Sequence, residues 1–162
     1  MKIVVISDTH LFSGIADFPE KLLKDIKGAD LVIHTGDFVE EKVFGEIEKI
    51  SREFKAVAGN MDSEELKRRL PEKLIFKAGK YRIGITHGRG APSDLLNALG
   101  EIFSGDKLDL IIFGHSHLAL NKKIGDTVFF NPGSPVDKIY AESNSYGIIE
   151  INGGMKLKIE EI

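Results

Sequence analysis

The sequence of 162 residues contains no cysteine, no glutamine and no tryptophan. Without cysteine there are no disulfides and no thiolate metal sites, so any transition metal bound here must take imidazole, carboxylate and amide donors. Positive charge is not in excess: 22 Lys and Arg stand against 25 Asp and Glu, a net charge of −3, with no basic run. A nucleic-acid footprint built on a cationic face is therefore not indicated, although nucleotides remain open as substrates. Long apolar runs are missing too. Ile3-Val4-Val5-Ile6, behind Met1-Lys2, is too short for a secretion signal, and nothing approaches a membrane span. The cytoplasm is the default expectation, with no membrane partner and with a homo-oligomer left open.

What is present is a globular composition, 42% hydrophobic and 29% charged. The length suits one domain with a buried core, spanning residues 1–162. Short apolar runs alternate with amphipathic segments, the pattern of an α/β fold. Ile3-Val4-Val5-Ile6 is apolar on both faces, as a buried parallel strand is. Leu22, Leu23 and Ile26 share a helical face that Gly28 can end, and Leu31-Val32-Ile33 reads as a second strand. Val43, Ile47, Ile50 and Phe54 recur at helical spacing and form a core stripe. A strand is expected over residues 56–58, then a short helix capped by Ser63 and stopped before Pro71. Gly79-Lys80 reads as a hairpin turn between residues 74–76 and 82–85. A helix fits residues 93–103 and a buried strand residues 109–113. Beyond His117, alternating runs at 127–130, 146–151 and 156–159 read as antiparallel strands. The expected architecture is two packed sheets with helices outside.

The chemistry lies in what ends each strand. Five apolar runs stop at Ser7-Asp8-Thr9-His10, Gly36-Asp37, Gly59-Asn60-Met61-Asp62, Thr86-His87-Gly88 and Gly114-His115-Ser116-His117. In open α/β sheets the functional crevice lies at the carboxyl ends of strands, so donors far apart in sequence can converge. Asp8 and His10 are two apart, as are His115 and His117, and residues two apart in extended chain point the same way. Oxygen and nitrogen donors without sulfur suit Mn²⁺, Fe²⁺, Zn²⁺, Ni²⁺ or Co²⁺ better than an all-oxygen Mg²⁺ or Ca²⁺ cage. Any one such Asp or His would ordinarily be a turn or cap residue. Five in order are a metal site, and four of the five histidines fall on these motifs.

Asp8-x-His10, Gly36-Asp37, Gly59-Asn60, His87-Gly88 and Gly114-His115-x-His117 resemble the five motifs of the calcineurin-like metallophosphoesterases. The resemblance is strongest to the small single-domain phosphodiesterase branch of bacteria and archaea, whose C-terminal signature Asn131-Pro132-Gly133-Ser134 is similar to. It implies a four-layer αββα sandwich of two mixed sheets flanked by helices. It also implies two divalent ions, with Mn²⁺ favoured. Asp8, His10 and His117 would hold the first, Asn60, His87 and His115 the second, and Asp37 would bridge them. Metals roughly 3.5–4 Å apart can share a hydroxide at neutral pH and support in-line attack on phosphorus. Asp37, Asn60, Asp62 and His87 form the implied catalytic set, and Asn60, Arg89 and Ser134 the implied contacts to a small phosphate ester. A phosphodiester is the first expectation and a phosphomonoester the second. The rival from another class is a non-catalytic scaffold like the retromer subunit, which resembles the same branch but with its ligand pattern eroded.

One departure matters. Gly59-Asn60-Met61-Asp62 stands where many phosphatases of the superfamily have Gly-Asn-His-Glu. The missing histidine usually supplies the leaving-group proton. Asp62 has two readings, a cap for the helix at Ser63 or an anchor for a ligand. Arg89 is a solvated loop residue or a phosphate contact. His34, between Ile33 and Thr35, is expected as a buried, hydrogen-bonded histidine, with support of Asp37 as the second reading.

Overall fold

The computed structural model describes residues 1–137, 139–141 and 143–162. Ten strands form two mixed five-stranded sheets. The first sheet contains β1 (Lys2–Ile6), β2 (Leu31–His34), β3 (Phe54–Ala56), β9 (Ser145–Asn152) and β10 (Gly154–Glu161), in the order β10-β9-β1-β2-β3. The second contains β4 (Lys73–Ala78), β5 (Tyr81–Thr86), β6 (Leu110–Ile112), β7 (Leu120–Ile124) and β8 (Thr127–Asn131), in the order β4-β5-β6-β8-β7. The α-helices are α1 (Glu20–Gly28), α2 (Glu41–Ile50), α3 (Glu64–Arg69) and α4 (Leu95–Ile102). No helix among the described residues is long and apolar enough to cross a membrane.

Three apolar layers account for the architecture. On β1, Val4 and Ile6 face one way, into a cluster with Leu22 and Ile26 of α1 and Val43 and Ile47 of α2. Ile3 and Val5 face the other way and meet Ile83, Ile85, Leu110 and Ile112 of the second sheet. Leu95, Leu99 and Phe103 cover the far side of that sheet at Ile111, Phe113 and Phe129. A strand between two layers must be apolar on both faces, which is why residues 3–6 lack alternation. Each such side chain contributes about 1.5–3 kcal/mol of burial free energy. Ser63 Oγ accepts from the Leu66 amide at 3.2 Å and so caps α3.

Several expectations need correction. The third strand lies at Phe54–Ala56 rather than residues 56–58, and α2 stops at Ile50. Ser51 Oγ turns back to the Ile47 carbonyl at 2.7 Å, and Phe54 reaches the same core from a strand, with its ring 5.3 Å from Phe44. Its helical spacing is a coincidence of two elements covering one layer. β8 is antiparallel to β7 but parallel to β6, and β7 itself has no apolar pattern in Leu120-Asn121-Lys122-Lys123-Ile124. An edge strand with solvent on one face needs none.

Tyr146 ties the C-terminal strands to α1. It is fully buried, and its hydroxyl donates to Asp25 Oδ2 at 2.5 Å, while Lys2 Nζ meets Oδ1 at 2.6 Å. Burial alone would raise the Asp25 carboxyl, but the hydrogen bonds from Lys2 and Tyr146 outweigh it and hold the group below its ordinary value. Burial, and then Asp25, push the Tyr146 phenol far above its ordinary value. A depressed carboxylate contributes stability above its unfolded pKa, near 3.9, and loses it as pH falls through the folded value. Tyr146→Phe is therefore expected to cost about 1–2 kcal/mol at pH 7. The deficit should shrink below pH 4, as read by denaturant melts at both pH values.

Candidate metal centre

The carboxyl ends of β1, β2 and β3 in one sheet face those of β5 and β6 in the other. The loops that leave them are tied by backbone hydrogen bonds: Asp8 N to Gly36 O, His10 N to Asp37 O, and Gly114 N to His87 O, each 3.1 Å. Asp8, His10, Asp37, His115 and His117 all have positive φ, between 43° and 70°. Non-glycine residues in this region cost about 1–2 kcal/mol each and concentrate at functional sites. Close approach also dictates two glycines. A Cβ on Gly59 would lie 2.1 Å from Asp37 Oδ1, and one on Gly114 would lie 1.9 Å from Ser7 Oγ. The loops can press against the carboxylates only because no side chain intervenes.

Two donor sets result. In the first, His10 Nε2 lies 3.4 Å from Asp37 Oδ2, and His117 Nε2 lies 3.5 Å from Asp8 Oδ1. In the second, His87 Nε2 is 3.0 Å from Asn60 Oδ1, 3.2 Å from His115 Nδ1 and 3.4 Å from Asp37 Oδ2. Asn60 Oδ1 and His115 Nδ1 are 2.9 Å apart. Ligand atoms about 2.1 Å from one ion sit about 3.0–3.4 Å from one another in octahedral or tetrahedral arrangements, so the spacing fits. His10 Nε2 is shielded from solvent yet has no hydrogen-bond partner among the described residues. A shielded imidazole nitrogen beside carboxylate oxygens, with no hydrogen-bond partner, is a donor suited to a metal ion. Asp37 joins the sets: the Met61 amide takes Oδ1 at 2.7 Å, leaving Oδ2 at 3.4 Å from both His10 Nε2 and His87 Nε2.

Three of the histidines are oriented by an acceptor on the far nitrogen. His87 Nδ1 donates to the Thr35 carbonyl at 2.8 Å, and His115 Nε2 to the Gly90 carbonyl at 2.9 Å. His117 Nδ1 donates to Asp137 Oδ2 at 2.5 Å. In each case the other nitrogen's lone pair turns to the cluster, the arrangement that fixes the tautomer of metal-bound imidazoles. Asp137 is itself held by the amides of Ile139, Tyr140 and Ala141. Neither Asp137 nor Ser7, which donates to Asp8 Oδ2 at 2.6 Å, is legible in advance. Both lie beside motifs, but their residue types are ordinary for loops.

Charge is strained here. Burial raises the Asp8 carboxyl above its ordinary value, and the nearby histidines oppose this only in part. Burial also acts to raise Asp37, but the hydrogen bond with His87 outweighs it and holds the group low. His87 is pushed up in return, against its own burial, by Asp37 and then Asp8. Two buried carboxylates side by side favour a cation between them.

The remaining sequence candidates fall in different places. His34 is buried and neutral, its pKa pushed well down by burial. Its Nδ1 accepts from Gly36 N at 3.1 Å and its Nε2 meets Thr9 Oγ1 at 3.2 Å, so it buttresses the Gly36-Asp37 turn. Ser134 is buried and donates to the Asp8 carbonyl at 2.7 Å, so its hydroxyl braces a ligand loop instead of facing a substrate. Arg89 is exposed and pairs with Glu101 at 3.2 Å. It lines a neighbouring cleft of about 420 Å³ with Asn60 and His87, not the cavity over the donors.

Asp62 is turned away from the cavity. Its Oδ2 accepts from Gly59 N at 2.7 Å and Asp37 N at 3.1 Å, and its Oδ1 from Val39 N at 2.9 Å. Asp62→Asn sets an NH₂ group against one of these donors, and is expected to cost about 1.5–3 kcal/mol. It should lower activity by a similar factor on nitrophenyl and alkyl diesters, because it loosens Asp37 and Asn60 together. Selective loss on alkyl diesters would instead make Asp62 a proton donor.

Residues 1–154 match the calcineurin-like phosphoesterase superfamily domain, and the chain belongs to that superfamily. A phosphodiesterase of Methanocaldococcus jannaschii is 27% identical over 144 residues, 82% of this chain and 83% of that protein. The solution structure of a Thermotoga maritima protein superposes with a TM-score of 0.77 at 33% identity, covering 99% of each chain. Vps29 of Entamoeba histolytica in complex with zinc superposes with a TM-score of 0.74 at 25% identity, again over 99% of each chain.

Proposed function

We propose that the protein is a divalent-metal-dependent phosphodiesterase with a dinuclear centre. Asp8, His10 and His117 would hold one ion and Asn60, His87 and His115 the other, with Asp37 shared. The observation that carries this reading is the single oxygen Asp37 Oδ2, equidistant at 3.4 Å from a histidine of each set. Two divalent ions there, Mn²⁺ best and Ni²⁺, Co²⁺, Fe²⁺ or Zn²⁺ as alternatives, would polarise the phosphoryl oxygens and activate a water for in-line attack.

The chain's own residues do the rest. Asn60 turns Oδ1 to the cluster, which leaves its amide NH₂ as a donor for a phosphoryl oxygen. Thr35, Gly90 and Asp137 keep three imidazoles aimed without rearrangement. Among the described residues lining the cavity over the donors, none is Lys or Arg. The support for a diester over a monoester is the family relative named a phosphodiesterase.

Metal binding alone does not separate this reading from a scaffold, since the structure of Vps29 with zinc has the same fold. Turnover does. With Mn²⁺ present, bis(4-nitrophenyl) phosphate is expected to be hydrolysed with a higher kcat/KM than 4-nitrophenyl phosphate. A preference for the monoester would reassign the enzyme. Metal binding with no hydrolysis of either would favour a scaffold.

A further inference from the structure

The cavity over the donors, about 520 Å³, has two unlike halves. The floor is the donor cluster. The wall is Leu11, Met61, Val136, Ile139 and Tyr140. Eight large hydrophobic residues are exposed among those described, and single ones need no explanation. Three of the eight, however, line this one cavity: Met61 at 56%, Ile139 at 80% and Tyr140 at 69% exposure. An apolar wall continuous with a phosphate-handling floor is the form of a substrate pocket.

We infer that this wall is a subsite for an aromatic substituent of the substrate diester, an inference that rests on the phosphodiesterase reading above. The one lining acid beyond the donor cluster, Asp137, is committed to His117 and three backbone amides. The surface types favour a flat ring over a bare alkyl chain. Met61 offers a polarisable thioether, and the Tyr140 ring is braced edge-on against His117 at 5.6 Å.

The test holds the leaving group constant. For 4-nitrophenyl phenyl phosphate and 4-nitrophenyl ethyl phosphate, both losing nitrophenolate, KM of the wild type should be lower for the phenyl ester by about tenfold or more. That ratio should fall towards one in Met61→Ala and in Tyr140→Ala, whose side chains are exposed and do not carry the core. Calorimetric binding of phenylphosphonate and methylphosphonate to the Mn²⁺-loaded protein gives a second readout without turnover. Equal KM values, or a ratio intact in both variants, overturns the subsite and leaves the phosphodiesterase reading standing. If no diester is hydrolysed but phenylphosphonate binds about tenfold tighter and the variants lose this, the subsite stands and the activity reading fails. Equal binding of the two phosphonates, in that case, overturns both.

Discussion

Replacing Asp37 by alanine is expected to lower aryl-diester turnover by on the order of 10³-fold or more, equivalent to about 4 kcal/mol of lost transition-state stabilisation. The size follows from its position. Asp37 Oδ2 lies 3.4 Å from a histidine of each donor set, so both sets lose a ligand together. The variant should still fold, since the contact it loses besides the two sets is one hydrogen bond from the Met61 amide. Thermal melts give an independent reading. A metal at 100 times its dissociation constant stabilises the folded state by about 2.7 kcal/mol, so Mn²⁺ should raise the melting temperature of the wild type well beyond that of the variant. Near wild-type activity with full metal stabilisation would remove Asp37 from the bridging position.

Steep dependence on the leaving group is the second large effect. A positioned general acid contributes about 10²–10⁴-fold when the leaving group is poor. Among the described residues at the cavity, Met61 has no proton to give, Asp62 is bound by three backbone amides, and the far nitrogen of His115 is committed to Gly90. Proton delivery is then left to solvent. A nitrophenyl diester should exceed a dialkyl diester by about 10² or more in kcat. Met61→His should narrow that gap by accelerating the alkyl ester. Equal rates on both esters in the wild type would mean that an acid is at work.

The strand-end donors were legible because buried parallel strands are dense in β-branched residues, so an Asp, His or Asn at their ends stands out. Residues 3–6 and 110–112 announce Asp8, His10, His115 and His117 in this way. Strand direction was not legible for β8, since alternation reads the same in parallel and antiparallel partners. β7 carries no apolar signal because Asn121, Lys122 and Lys123 face solvent at a sheet edge. Within the site, sequence could name the residues but not aim their side chains. Asp62 and Ser134 lie at the centre yet spend their oxygens on backbone groups. Asp137 orients His117 from a loop whose composition carries no signal.

If two ions share Asp37, catalysis depends on both. The direct measurement strips the protein with a chelator, then titrates Mn²⁺ while following bound metal per chain and hydrolysis of bis(4-nitrophenyl) phosphate. Turnover is expected to be negligible after stripping, and to recover completely only as the second ion per chain is bound. Undiminished turnover after thorough chelation, or full turnover with a single ion per chain, would contradict this.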